Sequence, residues 1–144
     1  MYKIIEMKLS EYNEVYSFWK SINGLGLSSA DTKKNIKKYL AKNPGMSFVA
    51  KAEDYIIGTI LAGHDGRRGY IYHFAVDEEF REKGIGKLLL SRVIQKFKSE
   101  NILKCHLFVY KYNEIGKKIW EQLGWELRED IFVMSKEITE AGYL

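Results

Sequence analysis

The apolar residues follow two patterns along the chain, one typical of strands and the other of helices. The run Tyr70–Val76 is rich in aromatic and branched side chains and predicts a strand. After it, apolar side chains recur at three- and four-residue intervals, which predicts an amphipathic helix ending near Glu100. This stripe consists of Ile85, Leu88, Leu89, Val93 and Phe97. Gly84 and Gly86 flank Ile85, the first residue of this stripe, and indicate a turn where the helix begins.

The same patterns predict the remaining elements. Further strands are expected at Tyr2–Lys8, Met46–Ala52, Tyr55–Gly63, Lys104–Tyr110 and Ile131–Ile138. Further helices are expected from an N-cap at Ser10 to about Ile22, from a cap at Ser29 or Asp31 to Asn43, and over Asn113–Leu123. Asn43-Pro44-Gly45 ends the second of these helices, and Gly124 ends the last.

The links between these elements predict the topology. Short polar links join the three strands between residues 46 and 76, which favours an antiparallel meander. A helix separates strand 70–76 from strand 104–110, which indicates a parallel crossover. We therefore expect one α+β domain over residues 1–144, with a mixed, mostly antiparallel sheet and about four helices.

Composition narrows the possible functions. Of the 144 residues, 46% are hydrophobic and 29% charged, as in globular proteins with a substantial core. The single cysteine, Cys105, excludes an intramolecular disulfide and a cysteine-based metal cluster, and we expect no metal site. No apolar run approaches the ~20 residues that span a bilayer. We also find no leader-like segment, so a cytoplasmic location without membrane contact is expected.

The net charge of +4 does not by itself indicate a nucleic-acid binder. Basic and acidic residues are interspersed, and the densest lysine cluster, between residues 33 and 42, spreads over a broad helical face. We expect no nucleic-acid partner. A modest positive field would nevertheless attract an anionic cofactor.

The glycine turn at residues 81–87 carries the clearest chemical signal. Gly84 and Gly86 leave backbone N–H groups open at the start of a helix, where the helix dipole favours a phosphate or pyrophosphate. Two glycines can also serve only a tight loop. A dinucleotide fingerprint would have a third glycine, and a phosphate loop of the NTPase type would have Ser or Thr after Lys87, where this chain has Leu88.

The order of the predicted elements resembles that of the GCN5-related N-acetyltransferase (GNAT) superfamily, and two motifs support the resemblance. Arg81-x-x-Gly84-x-Gly86 resembles the family's acyl-coenzyme A pyrophosphate loop. The segment from Asn113 to Gly124-Trp125 resembles its late helix, at the expected spacing. The resemblance covers nearly the whole chain and implies the acyl-CoA N-acyltransferase fold, in which the parallel strand pair splays apart.

The resemblance also implies a binding site for acetyl-CoA as co-substrate. The backbone of Phe74, Ala75 and Val76 would pair with the pantetheine arm, and the Phe74 amide would polarise the thioester carbonyl. The pyrophosphate would lie on the loop Arg81, Glu82, Lys83, Gly84, Ile85, Gly86 and Lys87. Asn113 would reach the pantetheine or acetyl end, although a plain helix N-cap explains it equally well.

Proton transfer is where this chain departs from the family. Members often carry a glutamate or histidine base on the face that period two assigns to Tyr70, Tyr72 and Phe74. Tyrosine is a poor base, so we expect Tyr72 and Tyr70 to act through water. Period two places His73 on the opposite face, which favours a packing role.

The catalytic acid and the acceptor site are less defined by the sequence. Trp120 stands where the family usually has a tyrosine that protonates the thiolate, and an indole cannot supply that proton. Either Tyr110 or Tyr112 could replace it, or the thiolate could leave without an acid. By the resemblance, Trp19, Ser28 and Tyr39 are candidate acceptor-lining residues, and the 23–29 loop could cover the substrate.

The sequence thus predicts an N-acetyltransferase, with direct attack of a primary amine on acetyl-CoA in a ternary complex. The acceptor would be a small-molecule amine or a peptide, and the family often forms homodimers. Trp120 motivates one alternative, an acyl-CoA binding or sensing module with weak or no catalysis. A third class, a basic interaction domain without cofactor, is disfavoured by both motifs.

Overall fold

A computed structural model describes residues 1–138 of the chain. These residues belong to two compact units, Met1–Phe108 and a second unit that begins at Val109. The first unit contains the strands β1 (Tyr2–Glu6), β2 (Phe48–Ala52), β3 (Tyr55–His64), β4 (Gly69–Val76) and β5 (Cys105–Leu107). Its helices are α1 (Tyr12–Ser21), α2 (Lys33–Lys42) and α3 (Ile85–Ser99). Short 3₁₀ turns add Leu9–Glu11, Ser29–Asp31 and Glu78–Phe80.

The five strands form one mixed sheet in sequence order. Strands β1 to β4 pair antiparallel with their neighbours, which confirms the predicted meander. The only parallel pair in the described sheet is β4 with β5, and it extends only from Gly69 opposite Cys105 to Ile71 opposite Leu107. Helix α3 makes the crossover between them. The predicted fold class, with a parallel pair that separates early, is confirmed.

Helices cover both faces of this sheet. Helices α1 and α2 pack on one face through a core that includes Trp19, Ile36 and Leu61. On the other face, α3 places Phe97 over Gly69, where an added Cβ would lie 2.5 Å from the ring. We call these the α1/α2 face and the α3 face. Strand β3 is buried on both of its sides from Ile57 to Gly63, which explains why it reads as an almost continuous apolar run.

Strand β4 contains a β-bulge at His73. Tyr72 pairs with Leu61 and Ala75 with Thr59, so His73 and Phe74 together lie opposite the single residue Ile60. The backbone of His73 has φ of 46°, a left-handed conformation in which histidine is one of the more tolerated side chains. The bulge interrupts the alternation of side chains along the strand.

The second unit is built around helix α4 (Glu114–Gln122). Its end is a Schellman motif, because Trp125 N–H donates to Trp120 O at 3.0 Å and Gly124 N–H to Glu121 O at 3.0 Å. Gly124 adopts φ of 92°, as the motif requires. The rings of Trp120 and Trp125 meet edge to face, with centroids 4.9 Å apart. This contact gives Trp120 a structural role at the helix end.

Several sequence predictions need correction. Residues 131–138 contain no strand, and β5 is shorter than the predicted Lys104–Tyr110. Ser10 does not cap α1, which begins at Tyr12 without a side-chain cap. The cap of α2 is Thr32, whose Oγ1 accepts from Asn35 N–H at 3.2 Å. Leu88, expected in the buried stripe of α3, is 53% exposed. Over the described residues, no helix has the length and apolar character needed to cross a membrane.

Candidate active site

The glycine turn presents the start of α3 to solvent. Gly84 is the N-cap and has φ of 83°, which only glycine adopts at little cost. The first backbone bond of the helix runs from Leu88 N–H to Gly84 O at 3.1 Å. The preceding N–H groups therefore come before any acceptor within the helix, at its electropositive end. Gly84 and Lys87 are both exposed, so this end can receive an anion.

Strand β4 lies directly against this turn. A Cβ on Gly86 would lie 3.3 Å from Phe74 Cζ and 3.7 Å from Val76 Cγ2. Phe74 and Val76 therefore point to the α3 face, while Ala75 packs with the core of the α1/α2 face. The structure thus brings together the predicted pyrophosphate loop and the predicted pantetheine strand.

Arg81 fastens the loop to the end of this strand. Its Nε donates to Val76 O at 3.0 Å. Arg81, predicted to add positive charge near the pyrophosphate, therefore also holds the loop against β4. The Val76 carbonyl already accepts this hydrogen bond. Lys83 and Lys87 are exposed, and neither forms an ion pair with a described residue. Glu82 adopts φ of 64°, which helps to form the tight turn.

The sheet opens beside this loop. The β4–β5 register ends where Ile71 lies opposite Leu107, whereas β4 itself continues to Val76. Such an opening between two parallel strands is where an extended ligand can add its own backbone hydrogen bonds. The glycine turn follows β4 in the chain and leads into α3. The opening along β4 therefore ends next to the glycine turn.

On the α1/α2 face, aromatic side chains form a continuous surface. The ring centroids of Tyr70 and Tyr72 are 6.4 Å apart, and Phe108 lies 6.4 Å from the first and 6.2 Å from the second. Tyr39 meets Tyr72 edge to face at 6.3 Å. We call these four residues the aromatic face. Phe108 is 59% exposed, so part of this surface is open.

The predicted tyrosines are poor proton acceptors in this setting. Burial, reinforced by Tyr70, raises the pKa of Tyr72 above that of an ordinary tyrosine. Burial also raises the pKa of Tyr39. Both phenols stay protonated at neutral pH, so they can orient a water molecule but cannot remove a proton. Trp19, another of the candidate lining residues, is fully buried and cannot line an open site.

His73 is the residue that sequence reasoning misplaced. Because of the bulge, its side chain lies on the α1/α2 face with Tyr72, and Phe74 lies on the opposite face. Its ring packs on Trp19 with centroids 4.6 Å apart. Its Nε2 lies 2.7 Å from Asp31 Oδ1. The expectation that His73 faces away from Tyr70 and Tyr72 is therefore wrong, because period two assumes an unbroken ladder.

A buried hydroxyl holds the bulge in place. Thr59 Oγ1 donates to His73 O at 2.9 Å and accepts from Trp19 Nε1 at 2.9 Å. Both Thr59 and Trp19 are completely buried, so these bonds are made away from competing water. No sequence signal singled out Thr59 or Asp31 for a role beyond packing or helix capping.

The second unit contains three residues to which the sequence assigned candidate roles at the donor site or as the catalytic acid. Asn113 caps α4, since its Oδ1 accepts from Gly116 N–H at 2.9 Å. This is the capping role left open by the sequence. Tyr110 and Tyr112 stack on each other at 5.3 Å and are exposed.

Metal and cysteine chemistry have no visible basis in the described part of the chain. Residues 1–138 contain no group of three or more His, Cys, Asp or Glu side chains placed to hold a metal ion. Burial raises the pKa of the Cys105 thiol, which keeps it protonated and unreactive.

Comparisons with known proteins agree with this geometry. The acetyltransferase SG1711 of Sodalis glossinidius (strain morsitans) is 27% identical over 130 residues, which cover 90% of this chain and 91% of the relative. Ard1 from Thermoplasma volcanium has a similar structure, with a TM-score of 0.76, 21% identity, and coverage of 88% of this chain and 84% of that one.

A second solved structure is AAC(6')-Iy in complex with the bisubstrate analogue CoA-S-monomethyl-acetylneamine. Its TM-score is 0.75 at 19% identity, covering 96% of this chain and 99% of that one. The family model described as "Acetyltransferase (GNAT) family" matches residues 11–125, most of the chain. The chain therefore belongs to the acetyltransferase (GNAT) family.

Proposed function

We propose that the protein transfers the acetyl group of acetyl-CoA to a primary amine, by direct attack in a ternary complex. The observation that carries this proposal is the exposed glycine turn at the start of α3, next to the opening between β4 and β5. Membership of an acetyltransferase family makes the protein an acyltransferase. We propose in addition that the acceptor is an amine, and we assign roles to individual residues.

The donor half of the site follows from the loop and strand. The backbone of residues 81–87 binds the pyrophosphate, with Arg81, Lys83 and Lys87 adding positive charge. The opening beside Phe74–Val76 receives the pantetheine arm, and the Phe74 amide polarises the thioester carbonyl. Solved relatives with CoA-derived bisubstrate analogues support acetyl-CoA as the co-substrate.

The acceptor half is assigned to the aromatic face. Ring faces attract ammonium groups, and the contribution rises from about 0.5 to 2 kcal/mol as the cation is desolvated. Tyr72 and Tyr70 would orient a water molecule at the edge of this surface. A small-molecule amine or the amino end of a peptide fits the open side at Phe108.

Both compact units would contribute to one functional domain. The family match runs from residue 11 to residue 125 and so crosses the boundary after Phe108. This continuity supports the expectation of a single domain.

A panel of amines tests the proposed function. We expect acetyl-CoA to bind in calorimetry, and at least one of spermidine, L-lysine, kanamycin and a peptide with an N-terminal alanine to release free thiol from it. A blank without amine removes the background from Cys105. Failure to bind acetyl-CoA at millimolar concentration would exclude the donor assignment. Binding without turnover of any amine would favour the acyl-CoA sensing module.

Asn113 offers a test of the donor site that separates capping from binding. Asn113→Ser keeps a good N-cap, whereas Asn113→Ala removes it and should cost about 1 kcal/mol of stability. If Asn113 also contacts acetyl-CoA, the serine variant should bind it about five- to tenfold more weakly at unchanged Tm, since one hydrogen bond contributes about 1 kcal/mol. Calorimetry and thermal denaturation measure the two effects. Unchanged affinity in the serine variant would leave Asn113 only its capping role.

A further inference from the structure

We propose that His73 accepts the proton of the attacking amine, and that Asp31 fixes its ring in the tautomer that leaves Nδ1 free to do so. The inference rests on the proposed acetyl transfer and deepens it. It replaces the tyrosine–water route as the route of the proton. The surroundings of Asp31 determine the tautomer of His73.

Asp31 is held rigidly at the end of the α1–α2 connection. It is 5% exposed. Its Oδ2 accepts from Ser28 N–H at 3.0 Å, and its backbone oxygen accepts from Tyr12 Oη–H at 2.6 Å. Ser28 Oγ accepts in turn from Ala30 N–H at 3.1 Å, in a reciprocal capping box. The carboxylate therefore has one oxygen engaged by the backbone and presents Oδ1 to His73.

The contact between Asp31 and His73 assigns the tautomer. A carboxylate only accepts hydrogen bonds, so the proton in the 2.7 Å contact belongs to His73 Nε2. The neutral ring then carries its lone pair on Nδ1. Carboxylate groups orient histidine bases in this way in other enzymes.

Nδ1 is open to an incoming substrate. No described residue bonds to it, and the described part of the chain has no buried side-chain nitrogen without a partner, so Nδ1 reaches solvent. The side chain is 14% exposed, which suits a base that is sheltered but accessible. The bulge places it beside Tyr72 on the α1/α2 face, one residue before the Phe74 amide.

The step balances as a general-base acyl transfer. The amine nitrogen attacks the thioester carbonyl carbon and forms the C–N bond, and its proton passes to His73 Nδ1. The C–S bond then breaks, its electron pair stays on sulfur, and coenzyme A leaves as a thiolate. The imidazolium returns its proton to the thiolate or to solvent. No further co-reactant is needed.

Three other titratable side chains surround the pair. Tyr12 lies on Asp31 from α1, Tyr39 lies on Tyr72 from α2, and Tyr72 precedes His73 on β4. Burial raises the pKa of each, so none of them loses a proton in the acid range. If the rate falls as the pH is lowered (the acid limb of the profile), these three tyrosines cannot be the cause.

Replacing each of the three histidines by asparagine tests the base. Asparagine suits the left-handed conformation at residue 73 but cannot take up a proton. With the fastest amine of the panel, we expect His73→Asn to lower kcat by about 10²- to 10⁴-fold and to remove the acid limb of kcat/KM. His64 is a matched control, because its Nε2 also lies 2.7 Å from a carboxylate, Glu100 Oε1. His64→Asn should behave as wild type, and His106→Asn should keep the acid limb.

Asp31→Asn tests the positioning role with little change of shape. It removes the carboxylate that fixes the imidazole tautomer, so kcat should fall at least about tenfold while KM for the amine changes little. Acetyl-CoA affinity should be retained in both variants. If His73→Asn keeps the wild-type acid limb and kcat, or if the limb is lost in His106→Asn instead, the base assignment is overturned.

A measurement on the free protein separates this inference from the proposed function. Long-range ¹H–¹⁵N spectra of protein labelled with ¹⁵N-histidine report the tautomer of each ring and need neither substrate nor turnover. We expect the neutral ring of His73 to be the Nε2–H tautomer, and Asp31→Asn to mix the two tautomers. A dominant Nδ1–H tautomer in wild type would overturn the proposal, whatever the amine panel shows. If His73→Asn does not fold, the Asp31→Asn variant and these spectra still test the base assignment.

Discussion

Gly86→Glu should weaken acetyl-CoA binding by at least about a hundredfold, a loss of roughly 2.7 kcal/mol. The new carboxylate would sit in the first turn of α3, where the proposed pyrophosphate binds, and would repel it. Its Cβ would also lie 3.3 Å from Phe74 Cζ, so the ring must shift slightly. A glutamate in the first turn of a helix favours the helix itself, and the fold should survive.

Gly86→Ala is the matched control for this prediction. It introduces the same Cβ against Phe74 without the charge, so we expect only a few-fold loss of affinity. Calorimetry with acetyl-CoA gives both affinities, and thermal denaturation shows that both variants are folded. Equal binding by wild type and Gly86→Glu would mean that the pyrophosphate does not occupy this turn.

Trp19→Ala should lower the free energy of unfolding by about 3–5 kcal/mol, the loss expected for a large aromatic side chain removed from a core. Trp19 is completely buried on the α1/α2 face, where it packs on His73 and donates to Thr59 Oγ1. Since small domains are stable by about 5–15 kcal/mol, this one change would unfold a visible fraction of the protein at moderate temperature. Urea denaturation followed by circular dichroism measures it.

Trp120→Ala provides the comparison, because the same side chain is removed from a half-exposed position in the second unit. There the loss is mainly the ring contact with Trp125 at the end of α4, and we expect about 1 kcal/mol. Trp19→Phe should fall between the two, since it keeps much of the packing but not the indole donor. A smaller effect at Trp19 than at Trp120 would contradict the core described above.

The sequence predicted those features that depend on local periodicity and on turn chemistry. Helix α3 begins at Ile85, directly after Gly84 and with Gly86 in its first turn, and β4 extends over the predicted aromatic run. Short links gave the meander, and the intervening helix gave the parallel pair. The donor loop and the adjoining strand come together as expected, because both follow from consecutive elements of one crossover.

The surroundings of His73, the proposed base, could not be predicted, because they depend on contacts between residues that are distant in the sequence. Thr59 meets Trp19 and His73 only in the folded sheet, and the resulting bulge reverses the face that alternation assigns to His73. Asp31 is far from His73 in sequence and could be recognised only as a possible helix cap. At Trp120, where the family usually has a tyrosine, the structure shows a ring contact with Trp125 at the end of α4, which sequence spacing alone did not indicate.

The bulge also limits how this part of the fold could be transplanted. Strand β4 consists of two segments that are out of phase by one residue, Gly69–Tyr72 before the bulge and Phe74–Val76 after it. On a regular strand that kept Tyr70 and Tyr72 on the α1/α2 face, Phe74 and Val76 would turn away from Gly86. The transferable module is therefore the whole stretch from Tyr72 to Lys87, together with a threonine on the neighbouring strand to hold the extra residue.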